Sequence, residues 1–256
     1  MNDFNRSMAA HARSGTMDTS VDAGLRGFML GVYNKLALGI ALSGLIAFAV
    51  GTVQPLTYLV FNTPLSFVVQ FGPIALIFGS MFLMRNPSPT GTGILYWSIV
   101  TLIGAGLGMW VAMATSGMSV ETRGGAVLST SMLTIAKAFL VTASAFGALS
   151  LFGYRTKMNL RPLGVFMIMA LWGVVILSLV SFLFPPSGML ELGIQLAVLA
   201  LSAGMVAWQT QELKENYYQI AGDTRSMAVM TNYGALNFFI MFVNMFQVIL
   251  SLMSRE

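Results

Sequence analysis

The sequence predicts an all-α membrane protein of seven transmembrane helices. Three observations carry that class. Hydrophobic residues make up 56% of the chain and charged residues 9%, against about 25% charged in an average soluble domain. Seven apolar runs approach the roughly 20 residues that a helix needs to cross the hydrocarbon. Lys and Arg are spread very unequally between the alternate connections. A soluble fold needs more charge to cover its surface; a fold whose outer face meets lipid does not.

Residues 1–24 form a polar N-terminal tail with Asp3, Arg6, Arg13, Asp18 and Asp22, and lack the apolar core of a signal peptide. Residues 25–253 form the membrane domain. Across 22–35 and into the next residue, Leu25, Phe28, Met29, Val32 and Leu36 recur at helical spacing, with Asp22, Arg26 and Lys35 elsewhere on the wheel. That pattern predicts an amphipathic lead-in lying in the membrane interface. The spans are expected at about 31–53, 66–84, 91–114, 126–152, 163–184, 190–209 and 231–253. Pro55 and Pro64, Asn86-Pro87-Ser88-Pro89, Gly124-Gly125 and Pro185-Pro186-Ser187-Gly188 punctuate the connections.

Seven spans place Arg6, Arg13, Arg26, Lys35, Arg85, Arg155, Lys157, Arg161, Lys214 and Arg225 on the side of the N-terminus, and only Arg123 and Arg255 on the other. Ten against two predicts a cytoplasmic N-terminus in a plasma membrane. It also explains the net charge of +4 as a topology signal rather than an affinity for nucleic acid, so no nucleic-acid partner is expected. Among small residues, Gly104 and Gly108 make a small-xxx-small pair, and Ser144, Gly147 and Ala148 add more. They fit ordinary bundle packing better than a dimer face.

The inventory of reactive groups argues against an enzyme. There is no Cys, and the one His, His11, lies in the tail, which removes thiolate and imidazole metal sites. No Gly-x-Ser-x-Gly elbow occurs. Every acid is expected in a tail, in a loop or at a span edge: Asp3, Asp18, Asp22, Glu121, Glu191, Glu212, Glu215, Asp223 and Glu256. That leaves no aspartyl dyad, no carboxylate cage for a metal and no counter-ion for a Schiff base. No cofactor and no metal are expected. Lys137, about eleven residues into the expected fourth span, is the one ionisable group near mid-bilayer. It marks a wet cavity or snorkels along a tilted helix. Asn237, Asn244 and Gln247, spaced seven and three apart, share one face of the last span. Such a stripe should face the bundle interior, as a polar path or as interhelical hydrogen-bond glue.

The turn Gly153-Tyr154-Arg155-Thr156-Lys157, the segment Ala207-Trp208-Gln209-Thr210-Gln211-Glu212-Leu213-Lys214, and the run from Gly234-Ala235-Leu236 to Asn244-Met245-Phe246 occur in that order. Together they resemble the bacterial branch of the Bax inhibitor-1 family over roughly 25–253. The resemblance implies six helices surrounding a central seventh. It also implies a pH-sensitive calcium leak in some members, and control of cell death or of membrane-protease activity in others. The leak depends on two aspartates, whose matching positions here hold Gln209 and Met241. An arginine that latches onto the first aspartate is retained as Arg85. Gln and Met do not titrate, so the shared proton of a carboxylate pair is lost. Two readings follow for this chain. One is a non-enzymatic regulator in the bilayer, contacting another membrane protein such as a quality-control protease. The other is a cation leak without its pH sensor.

Overall fold

The structure, a computed structural model, describes residues 2–122, 125–183 and 188–255, with side chains from residue 23 onward except 181 and 182. The expected turns at Gly124 and at Pro185-Pro186-Ser187, and the charges Arg123 and Glu256, lie outside the described residues, as do the side chains of the tail with His11. In chain order the elements are α1 (Asn2–Thr52), α2 (Gln54–Phe61), α3 (Leu65–Leu83), α4 (Pro89–Ser116), β1 (Val120–Glu121), β2 (Val127–Leu128), α5 (Met132–Arg155), α6 (Arg161–Leu183), α7 (Gly188–Ile220) and α8 (Thr224–Met253). Among the described residues seven helices are long and apolar enough to cross a membrane: α1 from Ala23, then α3, α4, α5, α6, α7 and α8. The chain is an all-α multi-pass membrane protein.

Three boundaries depart from the sequence expectation. Residues 22–35 are not an interfacial lead-in. Leu25, Phe28, Met29, Val32 and Leu36 are all buried in the main core, with the Phe28 ring 5.4 Å from that of Tyr217. The amphipathic stripe meets protein because α7 runs on to Ile220 and offers it a surface. That extension is the second departure. Residues 210–220 contain no Gly or Pro, and Val206, Thr210, Leu213 and Tyr217 continue one buried stripe past the expected end at 209. The third departure is the start of the fourth span. Residues 127–128 pair as β2 with β1, and α5 begins at Met132 behind Ser131, whose hydroxyl accepts from the Thr134 amide at 3.1 Å. The first connection also holds α2, with Pro55 in its first turn where a missing N–H costs nothing.

α8 is the most buried span, with Phe238, Phe239, Met245 and Leu250 almost wholly enclosed. α1, α4, α5 and α7 pack directly against it; α3 is held chiefly by α4, and α6 by α7. The expected small pair works inside this bundle. A Cβ on Gly104 would lie 2.8 Å from the Ser43 Cα, and one on Gly108 would lie 2.7 Å from the Val50 side chain. Only glycine lets α4 approach α1 this closely, where lipid gives helices no hydrophobic drive to associate.

One face of the bundle carries Ala23, Leu83, Pro89, Arg155, Arg161, Ile220 and Thr224, and is called the N face; the opposite end is the C face. The C face is capped. Arg255 pairs with Glu191 at 3.0 Å, both largely buried, Thr122 donates to the same carboxylate at 2.8 Å, and the Ser129 amide donates to the Ser254 carbonyl at 2.8 Å. Arg255 is therefore a structural latch and not a loose loop charge.

Candidate functional site

Three hollows on the N-face half of the bundle share Tyr233 of α8. One of about 160 Å³ lies against α7 and is lined by Gln209, Glu212, Asn216 and Asn237. One of about 270 Å³ lies toward α3 and is lined by Ile77, Ser80, Met84 and Asn237. One of about 480 Å³ opens at the turns, beside Asn86, Pro87, Arg225 and Ser226. α3 and α7 do not pack on each other, and these neighbouring hollows along α8, joined by the shared Tyr233, are together called the cleft.

α8 is positioned there by its own N-terminus. Asp223 caps it by accepting from the Arg225 amide at 3.0 Å and from the Ser226 hydroxyl. The Ser226 bond holds the Asp223 carboxyl below the usual carboxylate range, aided by backbone amides and the Arg225 charge. Deeper in, the Asn232 amide donates to Thr92 Oγ1 at 2.7 Å and to the Pro89 carbonyl at 2.9 Å. Its oxygen accepts from Lys35 Nζ, which also lies 5.5 Å from the Tyr96 ring centre. Counted from sequence as one more basic residue of the N-terminal side, Lys35 is in fact half-buried within the bundle, linking α1, α4 and α8. Its place twelve residues after Ala23, where the membrane-crossing part of α1 begins, is the signal that a span start at residue 31 concealed.

The residues singled out from sequence are not gathered into one site. Gln209 lines the cleft, but Met241 is buried in the core, on a deeper turn of α8. Arg85 is exposed in the turn after α3 and bonds no described residue, so it does not latch onto Gln209. Lys137 is exposed on α5, only five residues from the helix start, or about 7.5 Å along the axis. The late start of α5 takes it out of mid-bilayer and within reach of the C face by snorkelling. The amides of Asn237, Asn244 and Gln247 do not face the interior. All three are exposed and none bonds a described side chain; Asn237 lines the hollows toward α3 and α7, and Asn244 and Gln247 continue its face along α8. Glu212, expected at a span edge, instead stands half-buried on α7 and lines the cleft beside Asn237. The cause is again the uninterrupted helix. Among the described residues no group of three or more His, Cys, Asp or Glu side chains could hold a metal ion.

Residues 25–256 match the family described as Inhibitor of apoptosis-promoting Bax1. An uncharacterized protein of Caulobacter vibrioides is 45% identical over 98% of this chain and 97% of its own length. A Rickettsia prowazekii protein is 33% identical over 96% and 95%. The inner membrane protein YbhL of Escherichia coli K12 is 29% identical over 91% and 94%.

Proposed function

This chain belongs to the Bax inhibitor-1 family, and from that premise we propose that it is a non-enzymatic regulator in the bacterial inner membrane, acting by contact with another membrane protein. A quality-control protease of the membrane is one partner of the required kind. The N face, rich in Lys and Arg, is cytoplasmic in this reading. The observation that carries the proposal is the row Asn237, Asn244 and Gln247, exposed and without described side-chain partners in the otherwise apolar stretch 234–250 of α8. Amide groups left bare at membrane depth cost free energy. A partner helix that fits between α3 and α7 and bonds them removes that cost.

Because the chain has no native Cys, a single Asn244→Cys reports alone. Cross-linking in native membranes should give a defined adduct that Leu179→Cys, on the exposed face of α6, does not give. Changing all three amides to Leu should abolish co-purification after gentle detergent extraction. A protein that stays solitary in both experiments contradicts the proposal.

A second reading, a cation leak, is favoured by one observation: Glu212 puts a carboxylate next to Gln209 and Asn237 in the cleft. Calcium flux into liposomes at about pH 6 and pH 8 separates the two. Robust flux abolished by Glu212→Gln supports the leak; no flux leaves the regulator.

A further inference from the structure

On the opposite side of α8 from the cleft, α1 and α5 flank a groove. They do not pack closely on each other; a hydrogen bond between the hydroxyls of Tyr33 and Ser150 ties them. Two cavities lie along this seam, of about 510 and 440 Å³, and both are lined by Ile40 and Phe242. The first extends from Arg26 to Ile40 along α1, about 21 Å at 1.5 Å per residue. That exceeds one leaflet, half of a hydrocarbon core of about 30 Å, by roughly the depth of the headgroup layer. Its lips include Leu30 and Leu151, each half exposed to the surroundings of the bundle. It has room at its middle, where nothing lies within 4 Å of a Cβ built on Gly147.

The lining is apolar except at the N-face end. There the Tyr33 and Ser150 hydroxyls bond each other, and Ser150 meets Thr210 at 3.2 Å, so these polar groups are already satisfied. Arg26 is exposed at the mouth and bonds no described residue. Lys214 stands 5.1 Å from the ring centre of Tyr154, another residue of the mouth. Among the described residues no acidic side chain lines the cavity, and the Glu215 carboxylate is turned to Arg161 at 2.9 Å.

We propose that this groove binds an anionic phospholipid of the leaflet at the N face, with an acyl chain along Phe146 and Phe242 and its phosphate against Arg26. A long apolar slot, open sideways at membrane depth, admits a chain that is already in the bilayer. The Arg26 guanidinium at its end, bonded to no described residue, supplies charge-assisted bonds to phosphate. Neutral or zwitterionic lipids fill the slot equally well but lack the net charge that the basic mouth selects.

The test is native mass spectrometry of the whole protein released from mild detergent, after equilibration with equal amounts of phosphatidylglycerol and phosphatidylcholine of identical chains. The unaltered chain should retain phosphatidylglycerol at least fivefold over phosphatidylcholine. Arg26→Gln, a surface change that leaves the core intact, should bring that ratio close to one without lowering the total lipid retained. Gly147→Leu should fill the slot and lower retention of both lipids severalfold, whereas Gly173→Leu, on α6 where there is also space, should not. Equal retention of the two lipids by the unaltered chain overturns the proposal. So does an unchanged ratio in Arg26→Gln, or undiminished retention in Gly147→Leu. If Gly147→Leu does not fold, the Arg26→Gln ratio decides.

Discussion

Replacing Asn232 with Leu removes a side chain that joins α1, α4 and α8 by polar bonds. Thr92 loses an incoming donor but keeps its own bonds to the Ser88 and Pro89 carbonyls at 2.9 and 3.2 Å. The Pro89 carbonyl likewise keeps the Thr92 hydroxyl. Lys35 loses the most, since Asn232 Oδ1 is its oxygen acceptor and only the Tyr96 and Trp97 rings, at 5.5 and 6.0 Å, remain. A hydrogen bond to a charged group contributes about 1.5–3 kcal/mol, and two neutral bonds within a membrane protein about 0.6 kcal/mol each. The added apolar side chain returns roughly 1 kcal/mol. The expected loss is therefore about 2–3 kcal/mol, roughly a 30- to 150-fold shift in the unfolding equilibrium. Unfolding in mixed micelles, followed by tryptophan fluorescence, measures it. A cycle with Lys35→Met should return a coupling of about 1–2 kcal/mol. If Asn232→Leu lies within about 0.5 kcal/mol of the unaltered chain, or the two changes simply add, the knot does not hold the helices and the reasoning fails.

Gly108→Leu should separate α4 from α1, costing about 3 kcal/mol or more and giving heterogeneous material on size exclusion, because its Cβ alone would stand 2.7 Å from Val50. Glu191→Gln should weaken the C-face cap by roughly 3 kcal/mol in a thermal melt, since it leaves the Arg255 guanidinium largely buried without its counter-charge. Asp223 gives a pH signature. Its carboxyl is held below its unfolded value, so its contribution is complete above the ordinary carboxylate range and is lost as pH falls through the lowered folded value. Asp223→Asn should therefore lower the neutral plateau of a stability-versus-pH curve and flatten its acid limb, the two proteins converging once the carboxyl is protonated. Restoring both acids, with Gln209→Asp and Met241→Asp, should raise any calcium flux into liposomes; a protein that folds with no added flux shows that these positions do not meet on an ion path.

Much of the architecture was legible because the bilayer imposes a length and a composition on each span, and both are written locally. The seven spans, the Gly104–Gly108 contact and the resemblance carried by Gly153-Tyr154 and Gly234-Ala235-Leu236 needed no coordinates. Periodicity states that a helix has two unlike faces but not what each face meets. Leu25 and Phe28 looked fit for an interface and are core. Asn237 and Asn244 looked fit for the interior and are exposed.

Helix ends matter as much. Where residues 210–220 keep their stripe, α7 continues and carries Glu212 into the cleft; where residues 127–128 pair as a strand, α5 starts late and Lys137 leaves mid-bilayer. How many helices cross, and what each is made of, was already written in the chain, since an apolar run of about 20 residues satisfies its own backbone in lipid only as a helix. Which faces close on one another, and which stay open as the cleft beside α7 and the groove beside α5, was decided only by tertiary packing. Close approach is set by pairs such as Gly108 and Val50, far apart in the chain, and no local pattern encodes the meeting of two distant side chains.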